Sequence, residues 1–193
     1  MTPLDRLADI ASGYHVGTKI EDEPAGRIPL LQLRDLEAQH VRSDGVARVS
    51  NAEFRRHHRV RPGDVLFGAR GVTRPAALVD ETVPDGAVAT SQLFVLRVTD
   101  DRLDPAYLAW YLNTEAAEAF FDTFERGAVV RFIPKSVLAE LPVPLPPLGR
   151  QRALAEAGRL ARREARLARA AAEQRLVLTE ALLLRVALDS DPQ

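Results

Sequence analysis

The chain has no cysteine. That excludes disulfides, thiolate zinc sites and cysteine nucleophiles together, and sets the expectation of a cytoplasmic protein. No run of about eighteen apolar residues occurs, so no membrane-spanning helix is expected. Met1-Thr2-Pro3-Leu4-Asp5-Arg6 has no basic region leading into an apolar stretch, and no signal peptide is expected. A GxxxxGK[ST] phosphate loop is missing. Lysine is reduced to Lys19 and Lys135, and the residues two places before them are Gly17 and Ile133. The common magnesium nucleases need an acid there. Pro146-Pro147 is flanked by Leu145 and Leu148, which cannot supply the amide and ring that an adenine methyltransferase sets beside its paired prolines. Ser91 has no glycine elbow around it. His57 and His58 are adjacent, would face opposite ways in extended chain, and have no further histidine cluster to complete a metal site. No catalytic constellation remains, and the sequence reads as that of a non-enzyme without cofactor or metal.

What is present is 193 residues, 46% hydrophobic and 27% charged, enough for one cored domain with an appendage. The net charge of -1 hides a strong asymmetry. From Arg42 to Arg74, eight arginines (42, 48, 55, 56, 59, 61, 70, 74) face Asp44, Glu53 and Asp64, a balance of +5. From Ala76 to Glu125, ten acids face Arg97 and Arg102, a balance of -8. Arg126, Arg131 and Lys135 then follow with no acid among them, and the segment from Arg150 carries nine arginines and six acids. Basic stretches of this kind are the electrostatic footprint of phosphate binding.

Proline and glycine divide the chain. Twelve of thirteen prolines lie at or before Pro147, and beyond it the only glycines are Gly149 and Gly158. The first three quarters read as mixed α and β, with strands at 28–33, 64–67, 76–79 and most strongly 93–98. Pro62-Gly63-Asp64 and Pro84-Asp85-Gly86 are turns. Asp104-Pro105 caps a helix expected to run to about Phe124, with Tyr107, Leu108, Tyr111, Leu112 and Phe120 turned inward. Pro134-Lys135 starts a short second helix. Leu141-Pro142-Val143-Pro144-Leu145-Pro146-Pro147-Leu148 must be extended, because each proline disfavours helix for the residue before it.

The tail from Arg150 is a helix of roughly 57 Å to about Ala187, rich in strong helix formers. Leu160, Leu167, Gln174, Ala181 and Leu188 recur every seven residues, with Ala157, Ala171 and Leu178 in the companion row and Leu182 beside it. Glu164 and Arg185 interrupt that row. Such a coiled-coil-like seam asks for a partner helix. The expected organisation is therefore a domain over 1–141, a connector over 142–149, a helix over 150–188 and a disordered tail over 189–193. A cut after Leu148 is expected to leave a folded monomer.

The order of motifs resembles a known family. Arg59-Val60-Arg61-Pro62-Gly63-Asp64-Val65-Leu66-Phe67-Gly68-Ala69-Arg70-Gly71 is followed by Ala89-Thr90-Ser91-Gln92-Leu93-Phe94-Val95-Leu96-Arg97, then by Leu103-Asp104-Pro105-Ala106-Tyr107-Leu108. Gly127-Ala128-Val129-Val130-Arg131-Phe132-Ile133-Pro134-Lys135 precedes Leu141-Pro142-Val143-Pro144-Leu145-Pro146-Pro147-Leu148-Gly149-Arg150-Gln151. Together these resemble the target-recognition domain of type I restriction-modification specificity subunits, with their "L-x-x-G-D-[IV]-L-F" strand and their "[IV]-P-x-P-P-L-x-x-Q" lead-in to a long helix. The family usually has Glu-Gln where this chain has Arg150-Gln151. It also carries two recognition domains and two helices per chain, against one of each here.

The resemblance implies an α+β fold: a mixed-sheet recognition domain and a long C-terminal helix that forms an antiparallel coiled coil in a dimer. It implies a non-catalytic half-subunit that homodimerises to read two inverted DNA half-sites. Its partners would be double-stranded DNA, a second copy, an adenine methyltransferase subunit and a translocating restriction subunit. Candidate DNA contacts are Arg42, Arg48, Arg55, Arg56, His57, Arg59, Arg70, Thr73, Arg74, Ser91, Gln92, Arg126, Arg131 and Lys135. The loop Gly68 to Arg74 stands out, since its two glycines let backbone approach closely and neither Arg70 nor Arg74 has an acid nearby in sequence. Candidate dimer contacts are Leu160, Leu167, Ala171, Gln174, Leu178, Ala181 and Leu182. The competing reading is a coiled-coil adaptor whose head binds protein or merely caps the helix; charge reversal at Arg70 and Arg74 separates the two.

Overall fold

The computed structural model describes the chain apart from residues 16–21, 24, 51–53, 56–57, 72, 126–131 and 190–193. Strands β1 (Thr2–Pro3), β2 (Ala8–Ser12), β3 (Ile28–Leu31), β4 (Leu36–Glu37), β5 (Gln39–Val41), β6 (Ala47–Val49), β7 (Val65–Gly68), β8 (Ala76–Leu78), β9 (Val88–Ala89) and β10 (Leu93–Val98) come first. Helices α1 (Pro105–Tyr111), α2 (Glu115–Glu125) and α3 (Lys135–Ala139), strand β11 (Pro142–Val143) and helix α4 (Leu148–Asp189) follow. The architecture is α+β. A six-stranded sheet has the order β2-β10-β7-β8-β5-β4, a three-stranded sheet has the order β6-β3-β9, and β1 pairs with β11. Both larger sheets are mixed: β5–β8 and β3–β9 are parallel, and the other pairings antiparallel.

The central strands explain their own sequence. In β7, Val65 and Phe67 enter one apolar cluster while Leu66 enters another; in β10, Phe94 and Leu96 divide from Leu93 and Val95 in the same way. A strand covered on both faces reads as an unbroken apolar run rather than an alternation, which is why 93–98 stands out in the sequence. Helices α1 and α2 cover the first face through Tyr107, Leu108, Leu112, Ala117 and Phe121.

The pairing of β7 with β10 is closed by charge. Asp64, just before β7, is buried and accepts two hydrogen bonds from Arg97 of β10, at 2.8 and 2.7 Å. A bidentate fork of this kind is stronger than a neutral bond, and hydrogen bonding to Asp64 pushes the Arg97 guanidinium above its ordinary pKa. The Asp of the Gly63-Asp64 motif is therefore structural.

The helix expected from Asp104 to about Phe124 is two helices. Asp104 caps α1 by accepting from the Ala106 and Tyr107 amides, as its position suggested. The break comes at Leu112–Thr114, because the Asn113 amide bonds both backbone groups of Ala76 on β8. Thr114 Oγ1 then accepts from Ala117 N and opens α2.

The proline-rich connector is docked rather than free. A proline has a carbonyl but no N–H, so a chain of prolines offers acceptors in search of donors. Tyr111 Oη donates to the Pro142 carbonyl at 2.8 Å, Tyr107 Oη to Pro144 at 3.1 Å and Gln151 Nε2 to Pro146 at 2.7 Å. Alternate carbonyls are thus served by successive side chains. Burial pushes both phenols up, so they remain protonated donors. Leu141 and Val143 are buried.

Gln151 does more than close the connector. It is fully buried, its Oε1 accepts from Asp104 N at 2.9 Å, and its Nε2 also donates to Arg102 O at 2.7 Å. Three segments meet on one amide. Ala155 is buried as well, and its carbonyl accepts from Gln39 Nε2.

By packing, the chain divides into Met1–Glu156 and Ala157–Gln193, so the first two turns of α4 belong with the domain. The boundary drawn from proline content at residue 141 lies earlier than the boundary of packing, and a cut after Leu148 would remove Gln151 from its site. In the second unit, α4 presents every described side chain from Arg159 to Leu188 to solvent. Residues 190–193 of the expected disordered tail lie outside the described residues.

Replacing Gln151 with Leu would leave the Asp104 amide and two carbonyls without their partner. Each unsatisfied buried group costs about 1–3 kcal/mol. The expected loss is about 3 kcal/mol, or about 10 °C in Tm for a domain of this size, as read by thermal unfolding. Asp64→Ala, which leaves Arg97 without its carboxylate, is expected to cost about 3 kcal/mol by the same measurement.

Candidate nucleic-acid interface

The loop after β7 is rooted on both sides. Ala69 N donates to the Gln92 carbonyl at 3.0 Å, extending the β7–β10 ladder by one bond beyond the strands. Ile133 N donates to the Ala69 carbonyl at 2.9 Å, and Arg70 forms an antiparallel bridge with Phe132. The Arg70 guanidinium lies over the Phe132 ring, 5.0 Å from its centroid. Lys135 is exposed at the start of α3, three residues on.

On the other side of Gln92, Ser91 N donates to Tyr14 O at 2.7 Å, and Ser91 Oγ lies 3.5 Å from His15 Nδ1. Tyr14 meets Phe54 edge-on at 4.7 Å and His58 at 5.3 Å. The turn holding Phe54, Arg55 and His58 is closed locally: Arg55 N donates to His58 Nδ1 and His58 N to Arg55 O. Phe132, Arg70, Gln92, Ser91, His15, Tyr14, Phe54 and Arg55 form one series linked by these contacts or by adjacency in the chain, and Lys135 extends it by its place three residues after Phe132. Among the described residues, Arg55, Arg59, Arg70 and Lys135 make no ion pair.

Several residues singled out by sequence sit elsewhere. Arg42, at the end of the β4–β5 hairpin, donates to the Arg34 carbonyl. Arg48 lies in β6, with its amide on Asp22, and Arg59 bridges Val88 and donates to Gly86 O. These two belong to the three-stranded sheet rather than to the Arg70–Gln92 turn. Thr73 is exposed in the loop. Arg56, His57, Arg126 and Arg131 lie outside the described residues.

Arg74 is a correction. Its side chain is only 1% exposed, Nη2 lies 2.9 Å from Asp122, and Nη1 bonds Glu118. The acids come from α2, 44 and 48 residues away in sequence, so scanning the neighbourhood of Arg74 could not find them. A guanidinium buried this way is not available to a phosphate. The loop glycines also need a second explanation. A Cβ on Gly68 would run into Leu33 Cδ1, so Gly68 serves packing inside the protein; Gly71 sits at φ +102°, a conformation other residues avoid.

Four of the ten acids between 76 and 125 are committed in the same manner. Asp100 binds Arg102, which holds its carboxyl down at about 2; Asp104 caps α1 and meets Arg152; Glu118 and Asp122 hold Arg74. Sequence reasoning missed Tyr14, His15, Phe54 and Phe132 as parts of the series. The usable signal was an aromatic directly beside an arginine, at Phe54-Arg55 and Arg131-Phe132.

On the helix, Leu160, Leu167, Leu178 and Leu182 are 49–61% exposed, and Ala171, Gln174 and Ala181 are exposed too. Leu176, Val177, Leu183, Leu184 and Val186 are equally open, so the apolar surface near the end of α4 is wider than one heptad seam. No helix among the described residues is long and apolar enough to cross a membrane, and no group of three His, Asp or Glu among them is placed to hold a metal.

The fold has solved counterparts. A chain from a type I R-M system, solved in a study of complex assembly and conformational transition, superposes with a TM-score of 0.62 at 22% identity over 95% of this chain. The HsdS subunit from Thermoanaerobacter tengcongensis gives 0.55 at 23% identity over 87%, and the type I restriction-modification S subunit from M. genitalium 0.56 at 11% over 94%. The chain spans 42%, 38% and 44% of those three chains respectively. No family model matches the chain, and no curated protein does. The resemblance read from the motifs is thus met by the same fold across nearly the whole chain.

The two loop arginines should behave oppositely. Arg74→Ala is expected to cost about 2 kcal/mol, since it removes a buried guanidinium together with its bonds to Glu118 and Asp122 and uncovers Phe121. Arg70→Ala should stay within about 0.5 kcal/mol, as usual for an exposed position. Urea unfolding midpoints of the two variants check this.

Proposed function

We propose that the chain is a sequence-specificity half-subunit of a type I, or type I-like, restriction-modification system. It performs no chemistry itself. Two copies pair through Ala157 to Leu188 with their helices antiparallel, and the domain of each reads one half of an inverted bipartite DNA site. The observation that carries this reading is the connected series from Lys135 to Arg55, whose described cations have no acid partner, on the fold of an S subunit.

One domain and one helix account for about two fifths of the solved chains that share the fold, and a two-fold axis would restore a second domain and a second helix. Arg55, Arg59 and Lys135 act on phosphates, which makes affinity salt-dependent, while the loop at Arg70 and the turn at Ser91-Gln92 face base edges. The breadth of apolar surface at the end of α4 supports a further partner. A second helix covers the Leu160–Leu167–Leu178 side, and Leu176, Val177, Leu183, Leu184 and Val186 still need cover. A docked adenine methyltransferase subunit supplies it, with a translocating restriction subunit joining through that complex.

In sedimentation the full chain is expected to be a dimer and a fragment ending at Glu156, which retains Gln151 and Ala155, a folded monomer. A dimeric fragment would move the interface off the helix. Charge reversal at Arg55 should weaken binding to all duplexes alike and reduce the slope of log affinity against log salt by about one. An unchanged slope would remove Arg55 from the phosphate contacts.

A further inference from the structure

The loop arginine differs from every other cation in the series in how it is held, and that difference bears on which bases are read. Resting on the DNA-reading role proposed above, we propose that Phe132 is the positioning residue that turns Arg70 into a guanine reader, with Gln92 beside it reading adenine on a neighbouring base pair.

Three observations converge. First, the root of Arg70 is tied down on both sides. Ala69 and Ile133 are buried, and the backbone is tied to Gln92 on one side and to Phe132 and Ile133 on the other. Second, the guanidinium lies over the Phe132 ring and makes no hydrogen bond or ion pair among the described residues. A ring holds the plane of an arginine without using any of its N–H donors, so the fork stays free for the O6 and N7 acceptors of guanine. Arg74, four residues on, is the contrast: its guanidinium also lies near a ring, Phe121, but carboxylates occupy it. Third, Gln92 is exposed, its side-chain amide makes no hydrogen bond among the described residues, and its backbone pairs with the residue preceding Arg70. An amide offers adenine one donor and one acceptor.

Among the described residues, the ring contact of Phe132 is with Arg70. Phe132 is 37% exposed while its neighbour Ile133 is fully buried, so Ile133 makes the core contact and Phe132 is left on the outside. A phosphate contact needs only charge and tolerates mobility. A bidentate base contact needs a fixed plane, which the ring supplies.

The test is selection of the purified full chain on a pool of randomised duplexes. It uses wild type, Phe132→Leu, Phe132→Tyr, Arg70→Lys and Gln92→Ala, each shown by thermal unfolding to be folded. Wild type should enrich a guanine at one position with an adenine nearby. Arg70→Lys keeps the charge and Phe132→Leu keeps the apolar contact, yet each should lose the guanine preference about tenfold, with the salt slope and the affinity for unselected duplex unchanged within about twofold. Phe132→Tyr should retain the preference, and Gln92→Ala should relax only the adenine. If Phe132→Leu keeps the guanine preference, or weakens all duplexes equally, the positioning role fails while the DNA-reading function stands. If wild type enriches no sequence, the DNA-reading function itself fails.

Discussion

The register between β7 and β10 is the constraint on which the rest of this molecule depends. Four residues of each strand pair antiparallel, from Leu93 opposite Gly68 to Leu96 opposite Val65. Both strands are buried on both faces, so a slip of one residue would exchange the two apolar clusters and is strongly resisted. The pairing is pinned at one end by the Asp64–Arg97 fork and continued at the other by the bond from Ala69 to Gln92. The exposed end is the one that carries the proposed interface. Arg70 and Gln92 belong to segments far apart in sequence, and the ladder makes them neighbours without any contact between their side chains.

A second economy appears where the chain leaves the domain. Prolines stiffen a segment but strip it of donors, and buried carbonyls without partners are expensive. The solution is to bring donors from elsewhere: two tyrosines one turn apart on α1 and the Gln151 amide. Because Gln151 also holds Asp104 and Arg102, the start of α1, the connector and the start of α4 are fixed by a single side chain. The glutamine that closes the "[IV]-P-x-P-P-L-x-x-Q" pattern thus has a physical reason for its spacing. It must lie one helical turn beyond the last proline to reach back to Pro146.

Much of this was legible in the sequence wherever the cause was local. The apolar run at 93–98 gave its strand to the residue, Gly63 and Gly86 sit at positive φ in the expected turns, and Asp104 caps the helix that its neighbour proline opens. What escaped depended on partners distant in sequence. Arg74 looked free because its acids lie on α2; the expected single helix broke because Asn113 answers to β8; Gly68 seemed to invite a ligand but makes room for Leu33. The candidate site shows the same division. Arg55, Arg70, Ser91, Gln92 and Lys135 are candidates that charge and motif single out. Tyr14, His15 and Phe132 enter only because the fold sets them beside those residues.

The two loop arginines show why charge counting alone cannot locate an interface. Arg70 and Arg74 have the same chemistry, the same loop and almost the same neighbours in sequence. One is enclosed by two carboxylates, and its charge is spent in anchoring α2 to the sheet. The other rests on an aromatic face that leaves its donors open. A guanidinium that must recognise something outside the protein has to be held without being satisfied, and a ring is one of the few partners able to do so. Both guanidiniums lie near a ring, so among the described residues what separates Arg70 from Arg74 is the carboxylates of α2, which the density of basic residues in the sequence does not reveal.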